Sequence, residues 1–287
     1  MLLRWPGAHG MRFTRRLLCN FGLRATLSAP LWARSGFAQA DETPAATPQI
    51  SPAASPSHLI VIDPGHGGRD PGCIGAGNVY EKDIALDTAM DLNALLRKSG
   101  YQTMMTRDRD VFIPLPDRVE FAERHQAALF ISVHANAVAG DPSIRGASVF
   151  TFSPDPSDPL AAAIARSENS VEAISSPSFK GVSPQVSGIL FGLMSRSTKI
   201  ESVLAQQKMV AALSRHVDML PNPARQATFA VLQSAAIPSI LVETAFLSNP
   251  QDEKALRTPY FRHQLALSMK SAVDTWFVAR RHAIANL

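Results

Sequence analysis

Leu59-Ile60-Val61-Ile62-Asp63-Pro64-Gly65-His66-Gly67-Gly68 is the stretch that decides the fold. Four apolar residues run without interruption and stop at Asp-Pro-Gly, the pattern of a short strand buried on both faces. Strands of that kind belong to parallel sheets with helices on either side. The rest of the chain follows suit. A helical segment at 81–99 stops before Gly100, and Tyr101–Thr106 reads as a strand. Asp117–Gln126 reads as a helix, Ala128–Val133 and Ala147–Phe152 as buried strands. Helical segments near 158–173 and 198–219, a strand at 237–242 and a helix over 259–280 complete the alternation. This order predicts an α/β fold, a mainly parallel twisted sheet flanked by helices in a single domain. Phe179–Ser197 is its least regular part.

The polar residues that interrupt these apolar runs gather at one place in the pattern. His66 follows the first strand, between glycines that let the backbone approach a ligand. His134 ends the strand Leu129–Val133, and Glu243 ends the strand at 237–242. In open α/β sheets the carboxyl ends of the strands line the site, so these three groups share an edge. Glu81 opens the 81–99 helix on the stripe of Ala85, Ala89, Leu92 and Leu96. A carboxylate on a core-facing stripe is costly unless paired or bound to a metal, although a helix N-terminus also favours it. Each residue alone has an ordinary structural explanation, a solvated loop histidine or a first-turn acid. Together they suit metal-assisted hydrolysis. Two histidines and a carboxylate leave zinc an open position for water, and a further carboxylate can take the water's proton. Residue chemistry alone leaves open which of Glu81 and Glu243 is the ligand.

Charge and cysteine content narrow the field. The sequence pI of about 9.3 suggests an anionic partner. However, residues 1–40 hold six arginines and no acid, leaving 22 of the 28 basic residues against all 24 acidic ones. The remainder is slightly acidic, and no nucleic-acid partner is expected. Cys19 and Cys73 are the only cysteines, which excludes a cysteine-based metal site. The basic start, mildly apolar middle and Ala38-Gln39-Ala40 predict an export signal over residues 1–40. Arg15-Arg16 after Thr14 gives that signal a twin-arginine character, and Met11 suits a start better than Met1. Residues 41–57, rich in Pro, Ala, Ser and Thr, read as a flexible linker. No stretch approaches the ~20 apolar residues of a membrane span. Periplasmic localisation is the expectation.

The chain resembles the zinc-dependent N-acetylmuramoyl-L-alanine amidases with the amidase 3 catalytic domain, over about residues 58–280. The resemblance is carried by Ile60–Gly68, Glu81-Lys82, Thr106-Arg107, Phe112–Arg118, Ser132–Asn136, Gly146–Phe150 and Leu241–Asn249, in that order and spacing. It implies one Zn2+ per chain held by His66, Glu81 and His134, and Glu243 as the catalytic glutamate. Arg107, Arg118 and Asn136 match recurrent family positions and are expected to support the site, the arginines by fixing loops or pairing ions. The implied substrate is peptidoglycan, cut between N-acetylmuramic acid and L-alanine. The twin-arginine-like signal makes the chain most similar to periplasmic cell-division amidases. Regulated members of the family carry an insertion over the zinc, and residues 153–215 occupy that place. Ala165–Asn169 matches its start, and Glu168 falls where a carboxylate can fill the open zinc position at rest. The implied partner is an activator with a degenerate LytM-type domain. It would grasp a segment whose Val182, Val186, Ile189, Leu190 and Leu193 recur at helical spacing. Residues 281–287 read as a tail.

Two other readings compete. A zinc peptidase acting on wall peptides would want an arginine clamp for a substrate carboxylate, and none is evident. A wall-binding module without activity would be expected to lose one of His66, Glu81, His134 and Glu243, and all four are present.

Overall fold

The structure is a computed structural model that describes residues 58–138, 140–170, 184–193 and 196–285. The expected signal and linker lie outside them. All described residues belong to the compact unit Ser51–Leu287.

Four of the strands are β1 (Leu59–Pro64), β2 (Gln102–Met105), β3 (Leu129–Asn136) and β4 (Ala147–Phe152). β5 (Met219–Ala227) and β6 (Ser239–Phe246) complete a sheet of order β2-β1-β3-β6-β4-β5. β2, β1, β3 and β6 run parallel, β4 and β5 run parallel to each other, and the two blocks meet antiparallel at β6 and β4. The expected mainly parallel sheet is therefore present, with one reversal.

Among the described residues the α-helices in chain order are α1 (Glu81–Lys98), α2 (Leu115–Arg124), α3 (Pro159–Asn169), α4 (Pro184–Leu193), α5 (Arg196–Leu213), α6 (Pro250–Leu256) and α7 (Pro259–Ala285). β1, β3 and β6 are buried on both faces, so their alternate residues feed two cores. Ile60, Ile62, Leu129, Ile131, Val133, Ile240 and Val242 face a core built with α1, α5 and α7. Val61, Phe130, Leu241 and Phe150 face a second core with α2 and α3. The Ala89–Leu92–Leu96 stripe of α1 enters the first core, as its spacing requires. Chain order reverses between β1 and β3, since β2 lies outside β1 and the next strand returns to its inner side. That is a topological switch point, where a crevice opens at the carboxyl ends of the strands.

Several expectations need correction. β3 and β6 continue to Asn136 and Phe246, so His134 and Glu243 lie inside their strands, held by ladder pairing between them. The helix expected to reach 219 stops at Leu213, and β5 begins at Met219. Its sequence contains Pro221 and Pro223, which hide a strand from any periodicity argument. They are tolerated because β5 is at the edge of the sheet. Within the irregular 179–197 segment, Pro184–Leu193 is helical, with Val186 and Ile189 47% and 63% exposed. Val182 lies outside the described residues. The last helix runs through residue 280 to Ala285, so most of the expected tail is helical.

Candidate active site

The loop after β1 takes a shape that its glycines and two arginines explain. His66 itself has φ 58°, in the left-handed region that costs a non-glycine residue. The conformation is held from behind. Arg118 donates to the carbonyls of Pro64 (2.8 Å) and His66 (2.7 Å), and Arg107 to those of Pro64 (3.0 Å) and Gly65 (2.7 Å). Both arginines are buried, and Arg118 also pairs with Asp63 at 2.9 Å. Asp63 accepts from the hydroxyls of Thr106 and Ser132 as well. Both side chains thus grip the backbone of the loop. Gly65 faces the His134 ring so closely that a side chain would overlap it, and Gly72 stands likewise against His66 and Glu81.

His66, Glu81, His134 and Glu168 are all buried, and one ligand atom from each lies within 4.8 Å of the others. His66 comes from the β1 loop, Glu81 from the first residue of α1, His134 from β3 and Glu168 from the last turn of α3. His134 Nδ1 lies 2.9 Å from Glu81 Oε1 and 3.1 Å from Glu168 Oε2. His66 Nε2 lies 3.0 Å from Glu81 Oε2 and 3.2 Å from Glu168 Oε2, without the alignment of a hydrogen bond. Its other nitrogen, Nδ1, is held by Asp70 at 2.7 Å. Glu81 accepts from the backbone N–H groups of Cys73 and Ala135.

The electrostatics of this cluster favour positive charge among its carboxylates. Burial opposes ionisation of His134, yet the Glu168 and Glu81 carboxylates outweigh it and push it up to about 10. His66 is likewise raised, against burial, by Glu81 and Glu168. Burial disfavours the Glu81 carboxylate, but the two histidines hold it well below the usual range. Histidine nitrogens and carboxylate oxygens converging in a buried space, with His66 Nε2 and Glu168 Oε2 unsatisfied, fit a divalent cation. Asp70 completes the arrangement of a ligating histidine whose second nitrogen is held by a carboxylate.

Glu243 stands apart. It is 0% exposed, and both carboxylate oxygens lack a hydrogen-bond partner. It is paired in register with His134 across β3 and β6, which places the two side chains on one face of the sheet. Burial, with the nearby Glu168 and Glu81 carboxylates, raises its pKa well above the usual range. Asn136, the next buried polar residue on β3, leaves its amide nitrogen unpaired.

Residues 60–275 match the family model described as N-acetylmuramoyl-L-alanine amidase. The chain belongs to that family. It is 35% identical over 220 residues to the N-acetylmuramoyl-L-alanine amidase AmiA of Salmonella typhimurium, covering 76% of each chain. It is 37% identical to AmiC of Escherichia coli, over 76% of this chain and 52% of that one. Among solved structures, AmiC2 of Nostoc punctiforme is 27% identical, with a TM-score of 0.54 over 76% of this chain and 96% of that one. An amidase of Clostridium difficile has the same fold at 24% identity and a TM-score of 0.57, over 78% and 98% of the two chains. As a member of this family the protein is an amide hydrolase of peptidoglycan.

The fold brings the sequence-derived candidates His66, Glu81, His134 and Glu168 into one cluster, and Glu243 beside His134. Arg107 and Arg118 lie behind the loop rather than in the cluster. Asp70 was not among the candidates. Its signal was available: an acid four residues after His66 in a glycine-rich loop can fold back onto the ring.

Proposed function

We propose that the chain hydrolyses the bond between N-acetylmuramic acid and L-alanine in peptidoglycan, with one Zn2+ held by His66, Glu81 and His134. Zinc in that position would supply Lewis-acid activation of water and of the substrate carbonyl. The protein's own residues do the rest. Asp70 orients the His66 ring, the backbone N–H groups of Cys73 and Ala135 orient Glu81, and the two arginines fix the loop. Glu243 takes the proton from water as the oxygen adds to the carbonyl carbon. It then gives that proton to the nitrogen as the C–N bond breaks. The observation that carries this reading is the Glu243 carboxylate, buried without a partner beside the histidine cluster. A group poised to take up a proton is one whose charged form is poorly satisfied, and Glu243 is such a group.

Glu168 is assigned a regulatory role, filling the fourth metal position at rest, as its distances to both histidines support. The biological setting is daughter-cell separation in the periplasm. Residues 1–40 serve as the export signal, and a LytM-type partner engages α4. Mass spectrometry of peptidoglycan after digestion tests the reaction. The expected products are free peptides beginning with L-alanine and glycan chains carrying unsubstituted muramic acid, and a chelator removes both. Peptides cut internally, with the muramoyl link intact, would make the protein a zinc peptidase instead.

A further inference from the structure

Ser148 lies on β4, directly opposite Glu243 in the antiparallel pair that joins the two blocks of the sheet. Its side chain is 0% exposed, and its hydroxyl has no hydrogen-bond partner. Opposed residues in an antiparallel pair carry side chains on the same face, with Cβ atoms roughly 4.5–5.5 Å apart. Two fully buried polar groups without partners thus stand side by side. One is a donor, the other an acceptor with four vacant lone-pair directions. Burying a hydroxyl without a bond is unfavourable, and a small apolar residue would serve better if only packing mattered.

We propose that Ser148 is a positioning residue for Glu243, its hydroxyl donating to one carboxylate oxygen as the other oxygen works on the water. This rests on the reading of Glu243 as the proton acceptor. The arrangement places His134, Glu243 and Ser148 in one row across three strands, the metal side on one flank and the donor on the other. A hydroxyl on a neighbouring strand turns with small motions of its own χ1. It follows the carboxylate through the proton transfer without moving the backbone. It also leaves the second oxygen aimed at the cleft, because a carboxylate held at one oxygen cannot rotate freely. The contribution is directional, and so it appears in turnover rather than in substrate binding.

The test is a double-mutant cycle on the full-length zinc-loaded enzyme with a soluble muramoyl-peptide. Ser148→Ala lowers kcat about tenfold, as loss of one bond to a charged group would, with KM unchanged. Zinc content stays the same. Ser148→Cys, somewhat larger and a weaker donor, gives a kcat between the two. In the Glu243→Gln background Ser148→Ala has no further effect. An unchanged kcat in Ser148→Ala, or an equal loss in both backgrounds, overturns the proposal. Full activity in Glu243→Gln overturns instead the reading of Glu243 on which it rests.

Discussion

The β1–α1–β3 side of the cleft and the β6–β4 side hold their polar groups in opposite ways. On the first side nearly every charged atom has a second partner: Asp70 on His66, two backbone N–H groups on Glu81, Arg118 and two hydroxyls on Asp63. On the second, Glu243 and Ser148 are buried with no partner. On the function proposed above, the contrast separates two tasks. A metal-ligand set has to be rigid, and its orientation is fixed before the ion arrives. A proton acceptor has to be unsatisfied, because a carboxylate already holding several donors would be too weak a base.

Three substitutions test that division, taken from the largest effect down. Glu243→Gln should cost on the order of 10²–10⁴-fold in turnover with zinc retained, since an amide cannot accept the proton. Turnover and metal analysis of one sample decide it. Loss of zinc would move Glu243 to the ligand side and erase the contrast. Asp70→Asn should weaken zinc binding by about 10–100-fold, measured by competition with a chelator of known affinity. An unchanged affinity would mean that the arginine-held loop orients His66 unaided. Glu168→Ala should raise basal activity on peptidoglycan about fivefold, the low end of usual coupling energies, by vacating the fourth position. If the variant is instead inactive, Glu168 belongs with the working residues and the resting block lies elsewhere.

Much of the fold and of the cluster is legible in the sequence. Buried apolar runs at 59–62, 128–133 and 237–242 gave the parallel block, because a strand covered on both faces has no polar positions to obscure it. His66, Glu81, His134 and Glu243 were visible because each broke such a run or stripe. What escaped was set by partners distant in sequence. β5 reads as Met-Leu-Pro-Asn-Pro-Ala-Arg-Gln-Ala, and only pairing with β4 makes it a strand. β3 and β6 extend past the apolar runs because each supplies the other's ladder beyond His134 and Glu243. The antiparallel junction at β6 and β4, which sets Ser148 against Glu243, leaves no trace in local pattern at all.

That junction also has a mechanical consequence. Because β4 runs against β6, it ends far from the cleft, and α3 must run back to deliver Glu168 in its last turn. The near end of the helix is pinned. Asp158 caps it through the Ala161 N–H and is paired with Arg225. From Asp158 to Glu168 the helix spans roughly 15 Å. The far end is fixed as well, since Asn169 donates to the Thr228 carbonyl at 2.6 Å and accepts from the Ala230 N–H at 2.8 Å. Ala161, Ile164 and Ala165 bury the face between the two anchors. α3 is a strut held at both ends, and the Glu168 carboxylate stands one residue from the second anchor, so it moves by its own side-chain torsions or with the whole strut.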